Sequence, residues 1–196
     1  MTEIKGNTNT APGAVVRSVA KYLDYVQAAC SNFANPLFRG HCEESWSLSP
    51  KIARLTLRDD AELLSAEQSM LTEFQRRALP HLEYQPRTKW DWLALAQHFG
   101  MPTRLLDWTT NPLAALWFAI ENPASSNSRA AVWIFHAFPS EYVTDPDAES
   151  PFSTNFTMVF RPNHLTRRIV AQDGWFTVHK YIRKSKRFIP LERNTR

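Results

Sequence analysis

Apolar positions at Val16, Val19, Tyr22, Leu23, Val26 and Ala29/Cys30 recur every three or four residues, the spacing of one helical face. The helix they predict ends near Ser31-Asn32, ahead of Pro36. "LFRGH" (37–41) is too short for a helix and is stopped by Gly40, so it reads as a brief strand whose end presents Arg39 and His41. "SWSLSP" (45–50) is a turn-rich connector. Asp59 and Asp60 then cap a second helix, with Leu63, Leu64, Met70, Leu71 and Phe74 along one side and Pro80 at its end.

Two more helices flank a short strand. In "TKWDWLALAQHFG", Thr88 and Asp91 have the spacing of a capping box, and Trp92, Leu95, Ala96 and Phe99 make the inner stripe. Gly100 is a natural C-terminal cap and Pro102 forbids continuation. "TRLLDW" is the strand. Asn111 caps the next helix, Pro112 sits in its first turn and Pro123 ends it. Every residue from Leu113 to Ile120 is apolar, which predicts a helix enclosed by protein on all sides.

Residues 130–138, 156–160 and 174–182 read as strands, and residues 1–14, without apolar period, as a flexible arm. Helices first and strands mixed with short helices later is an α+β plan. It forms one domain over residues 15–196, with a helical part (15–100) and strand-bearing segments at 37–41, 103–121 and 130–196.

Composition adds bounds. Hydrophobic residues are 43% and charged residues 21% of the 196, enough to bury a sizeable core. No apolar run reaches the ~18 residues that a membrane span needs, and the first residues lack the plan of a signal peptide. With only Cys30 and Cys42, neither a disulfide framework nor a metal site is expected, and a reduced, cytoplasmic protein is. Residues 161–196 hold ten Lys and Arg against two acids, so this tail carries +8 in a chain whose total is +4. Lys180, Arg183, Lys184, Lys186 and Arg187 interleave with Trp175, Phe176, Tyr181 and Phe188, a mixture suited to a phosphate backbone and stacked bases. The other reading is a solvated face whose aromatics turn to the core.

Arg104 and Asp107 sit among apolar neighbours. Three apart on an extended strand, they point to opposite faces, and a buried guanidinium or carboxylate needs partners. Either each anchors loop backbone, Arg104 by taking carbonyls and Asp107 by capping the helix that begins near Thr110, or a rigid strand end aims polar groups into a ligand cleft.

"FRGH" (38–41), "EFQRRA" (73–78), "WLALAQHFGMPTRLLDWTTNPLAALWFA" (92–119) and "RRIVAQDGWFTVH" (167–179) resemble the FRG-domain family, named for its Phe-Arg-Gly tripeptide. The position after the tripeptide, commonly Gln in that family, is His41. The family occurs in bacterial and phage-conflict settings and is distantly similar to the ADP-ribosyltransferase fold. The resemblance therefore implies a split, mixed or antiparallel sheet with the N-terminal helices packed outside. It also implies a toxin-like effector that uses NAD to modify nucleic acid (RNA favoured) or protein, and a neutralising antitoxin as partner.

On that reading Arg39 and His41 hold NAD, with Arg104 nearby. Thr109 and Thr110 bond its ribose or carboxamide, and Trp108, Trp175 or Phe176 stack on nicotinamide. Gln172 takes the place of the expected catalytic acid, and Asp107 or Asp173 supplies the missing charge. Arg39, Asp107 and Gln172 are thus the catalytic candidates. Two other readings stay open. One is a non-catalytic nucleic-acid or nucleotide-binding domain. The other is a metal-independent nuclease using His41, His98 and Arg39.

Overall fold

The computed structural model describes residues 2–5, 10–57, 62–82, 85–122, 128–162 and 174–193, the first two strands as backbone alone. Among the described residues there are four α-helices: α1 (Val19–Cys30), α2 (Leu63–Ala78), α3 (Lys89–His98) and α4 (Pro112–Ile120). The strands are β1 (Thr2–Lys5), β2 (Thr10–Pro12), β3 (Leu37–His41), β4 (Leu105–Thr109), β5 (Ala131–His136), β6 (Met158–Phe160), β7 (Gly174–Val178), β8 (Tyr181–Ile182) and β9 (Arg187–Phe188). Five strands run antiparallel in the order β5-β3-β4-β7-β6; β1 adds parallel to β5, β2 pairs with β1, and β8-β9 form a separate hairpin. The α+β plan is correct.

Alternation along the strands sorts the cores. Phe38, Val132 and Ile134 meet Tyr22, Val26, Ala115 and Ala119 of α1 and α4. Leu105, Phe176, Val178, Met158 and Phe160 meet Leu71 of α2 and the apolar residues of α3. Antiparallel partners share a face, and Phe38 pairs with Thr109 while Leu105 pairs with Val178. All four helices therefore lie on one face of the sheet. The other face buries Leu37, Leu106, Trp108, Trp133, Phe135 and Trp175 under Leu48 and Leu191.

The helix ends follow their sequence signals. Ser18 accepts from Lys21 N, Thr88 and Asp91 form the reciprocal capping box, and the Asn111 side chain accepts from Leu113 N and Ala114 N. At the end of α3, Gly100 N donates to Gln97 O and Met101 N to Ala96 O, a Schellman pair closed by Gly100 at φ +86°.

Four expectations need correction. Helix α4 is not enclosed: it buries Ala115 and Ala119 and leaves Leu113, Trp117, Phe118 and Ile120 exposed. It is α3 that is enclosed, with Trp90 through Ala96 all buried, whereas Phe99, assigned to its inner stripe, is exposed. Segment 174–182 is two strands: β7 ends at Val178, and Tyr181–Ile182 pairs with β9 in the separate hairpin. Strands β1 and β2 fall within the stretch read as a loose arm; joining a sheet edge uses backbone bonds and requires no apolar period. The expected caps Asp59 and Asp60 and the helix stop Pro123 lie outside the described residues.

Candidate functional site

Each residue of the tripeptide Phe38-Arg39-Gly40 has its own structural position. Phe38 is buried in the α1/α4 core. A Cβ on Gly40 would stand 2.0 Å from Ala115 O and 2.6 Å from Ala119 N, so glycine is what lets α4 lie directly on β3. Arg39 points to the opposite face, where the sheet parts. The β3-β4 ladder shows one register pair, Phe38–Thr109, whereas each neighbouring ladder shows five.

The Arg39 guanidinium fills that parting. Its Nη1 donates to Asp107 O at 2.7 Å, as a further rung of the ladder would, and its Nε donates to His41 Nε2 at 3.0 Å. Nη1 also lies 3.7 Å from Asp107 Oδ2, with the Arg39 side chain 24% and the Asp107 side chain 58% exposed. Gln97 on α3 donates through Nε2 to Asp107 Oδ2 at 3.0 Å and accepts from Thr103 Oγ1 at 2.7 Å. A held cation and a held, open carboxylate therefore stand side by side. Burial lowers the pKa of Arg39, the Asp107 charge opposes that, and nearby Arg54 adds repulsion.

His41 is buried and neutral at physiological pH, pushed down to about 4 first by burial and then by the Arg39 charge. Because Nε2 accepts from Arg39, the ring carries its proton on Nδ1. His179 is also pushed down to about 4, chiefly by burial. Its Nδ1 lies 3.2 Å from Ile189 O and its Nε2 3.1 Å from Thr177 Oγ1, which accepts from Trp108 Nε1 at 3.0 Å. The carbonyl can only accept, so Nδ1 bears the hydrogen and the Thr177 hydroxyl donates to Nε2.

Arg104 is enclosed. Its Nε and Nη2 donate to Glu67 Oε2 at 2.8 and 2.6 Å, its Nη1 to Pro151 O at 2.8 Å, and its backbone N to Glu67 Oε1 at 2.7 Å. Phe152 and Phe188 cover the guanidinium. Burial raises the Glu67 pKa, and Arg104 works against that rise. This is the anchoring of loop backbone, joined to a buried ion pair. Asp107 does not cap α4; Asn111 does.

Trp108 and Phe176, expected to touch a cofactor, are buried in the cores on opposite faces of the sheet, and Trp175 is buried beside Tyr142. Thr109 is buried next to the opening, with Oγ1 accepting from Asn111 N, and Thr110 is half-buried. His98 is half-buried at the end of α3 against Phe99. Gln172 and Asp173 lie outside the described residues.

On the β8-β9 hairpin, Arg183, Lys184, Lys186 and Arg187 are exposed and Lys180 is half-buried, while Tyr181 and Phe188 are turned into a core. Glu67, Gln97, Thr177 and His179 escaped sequence reading. Gln97, Thr177 and His179 had a signal, their places in the runs "QHFGMPTRLLDW" and "RRIVAQDGWFTVH"; Glu67 had none. Among the described residues, no group of three or more His, Cys, Asp and Glu is placed to hold a metal, and no helix is long and apolar enough to cross a membrane.

The family model of the FRG domain matches residues 34–128, a span that includes Arg39, His41, Gln97, Asp107 and α4. Over that span, just under half of the chain, the sequence is similar to the FRG domain. The basic hairpin lies beyond the matched span of the FRG domain, as does Gln172. Searches of the curated proteins and of the solved structures gave no match.

Proposed function

We propose that the Arg39–Asp107 junction is the NAD site of a toxin-like ADP-ribosyltransferase acting on nucleic acid, with RNA as the favoured acceptor. One observation carries this reading: a forked cation and an open carboxylate are held side by side where the sheet parts. A guanidinium held by its Nε and one Nη keeps donors for a pyrophosphate. An anion beside it answers the positive charge that builds on ribose. In the reaction the nicotinamide–ribose bond breaks, and its electron pair leaves with the nicotinamide nitrogen. The acceptor's oxygen or nitrogen attacks C1′ of the oxocarbenium-like ribose, and the acceptor's proton passes to solvent or a nearby base.

Asp107 is the described group suited to face that cation, and Gln97 is its positioning residue. Gln172 is kept as a second candidate. The four exposed cations of the β8-β9 hairpin favour a polyanionic acceptor, through charge rather than stacking, since the neighbouring aromatics are buried.

Release of labelled nicotinamide tests the proposal. Arg39→Ala should weaken NAD binding by roughly 10–100-fold, as loss of charged hydrogen bonds does. Asp107→Asn should lower turnover by about 10²–10³-fold with NAD binding nearly intact, the pattern of a contact made in the transition state. Gln172→Glu should keep or raise turnover if that position faces the ribose. NAD binding without nicotinamide release would select the non-catalytic binder, and RNA or DNA cleavage without NAD would select the nuclease.

A further inference from the structure

An apolar helix left half open requires a covering that these described contacts do not supply. On α4, Leu113, Trp117 and Ile120 follow helical spacing, and Phe118 flanks them; they are 48%, 60%, 57% and 49% exposed. Beside this ridge lies an apolar groove of about 290 Å³, lined by Val15, Val16, Tyr22, Leu116, Ala119 and Ile120, with Val15 64% exposed. Ridge and groove adjoin at Ile120. We infer that this face docks a second copy of the chain about a two-fold axis, with the α4 helices antiparallel and Trp117 against Trp117.

Three features favour a second copy over other occupants. A convex ridge next to a concave groove gives one patch both halves of an isologous contact. The area also fits: Leu113, Trp117, Phe118, Ile120 and Val15, each about half or more exposed, leave roughly 500 Å² of apolar surface open, close to the apolar share of the ~800 Å² that a standard-size specific interface buries per partner. The charges fit too. Glu121, exposed at the C-terminal end of α4, would meet the N-terminal end of the second copy's α4, where the helix dipole favours an anion. In this arrangement Leu113 of each copy faces Ile120 of the other.

Sedimentation velocity across the micromolar range tests the proposal on the full chain. The parent should dimerise with rising concentration. Trp117→Glu and Trp117→Lys should each weaken the dimer by at least ~30-fold, as loss of a central tryptophan does. Both variants should keep the parent's thermal melt at dilutions where all three are monomeric, because Trp117 is largely exposed. Mixing the two should restore a dimer tighter than either forms alone, since Glu then meets Lys across the axis. A parent that stays monomeric throughout would assign the face to a different protein or to a lipid surface and overturn the proposal. A mixture no tighter than its components would overturn the Trp117–Trp117 geometry.

Discussion

Helix α4 is the more apolar of the two in sequence, yet it is α3, which carries Lys89, Asp91, Gln97 and His98, that the fold encloses. The inner run of α3, Trp90 to Ala96, is covered by α2, by the sheet and by the segment around Glu149, whose carbonyl accepts from Trp90 Nε1 at 3.0 Å. Helix α4 touches the sheet through two alanines lying on Gly40 and is open along its outer half. Apolar content reports that a surface will be covered, and not which neighbour covers it. The Arg39–Asp107 junction lies where the sheet parts between the strand under α4 and the strand under α3.

Breaking each side of this comparison should have unequal costs. On the α3 side, Trp90→Ala should cost about 3–5 kcal/mol by removing a fully enclosed ring. Glu67→Gln should cost a similar ~3–5 kcal/mol, because it leaves the buried Arg104 guanidinium without a counter-charge. Urea denaturation measures both.

On the α4 side, Gly40→Ala should cost about 3 kcal/mol, since a methyl group there meets helix backbone that cannot turn aside. The variant should also lose the Arg39–Asp107 contacts, because β3 must move. Unchanged stability in the Gly40→Ala variant would show that α4 does not rest on β3.

Acidification probes the sheet between them. His41 and His179 are held near pKa 4 against an ordinary value of 6.5, so below pH 6.5 the unfolded chain binds protons that the folded chain refuses. The stabilisation is complete above pH 6.5 and is lost as pH falls towards 4, by roughly 3 kcal/mol for each ring. His179→Asn should flatten the urea-midpoint slope over that window. The smallest effect belongs to Trp117→Ala, within about 0.5–1 kcal/mol for the monomer, because the ring is largely exposed.

Much of this fold was legible in the sequence through local chemistry. The Thr88–Asp91 box, the Asn111 cap, Gly100 and the short strand at 37–41 follow from residue type and spacing, and the strand read at 103–108 is found at 105–109. Arg39 and Asp107 were legible as polar groups at strand ends. The partners Glu67 for Arg104 and Gln97 for Asp107 were not, because tertiary contacts bring together residues far apart in the chain or on different elements. Trp108 and Phe176 misled for a related reason: alternation places aromatics on both faces, and both faces of this sheet are covered.

The central claim, that Arg39 and Asp107 serve ADP-ribosyl transfer, is tested most directly inside cells. The parent and Asp107→Asn would be expressed to equal levels, and total RNA and protein analysed by mass spectrometry for added ADP-ribose. The account predicts adducts in the parent, RNA foremost, and at least about 10²-fold fewer in Asp107→Asn. No adduct in the parent, or equal adducts in both, would contradict it.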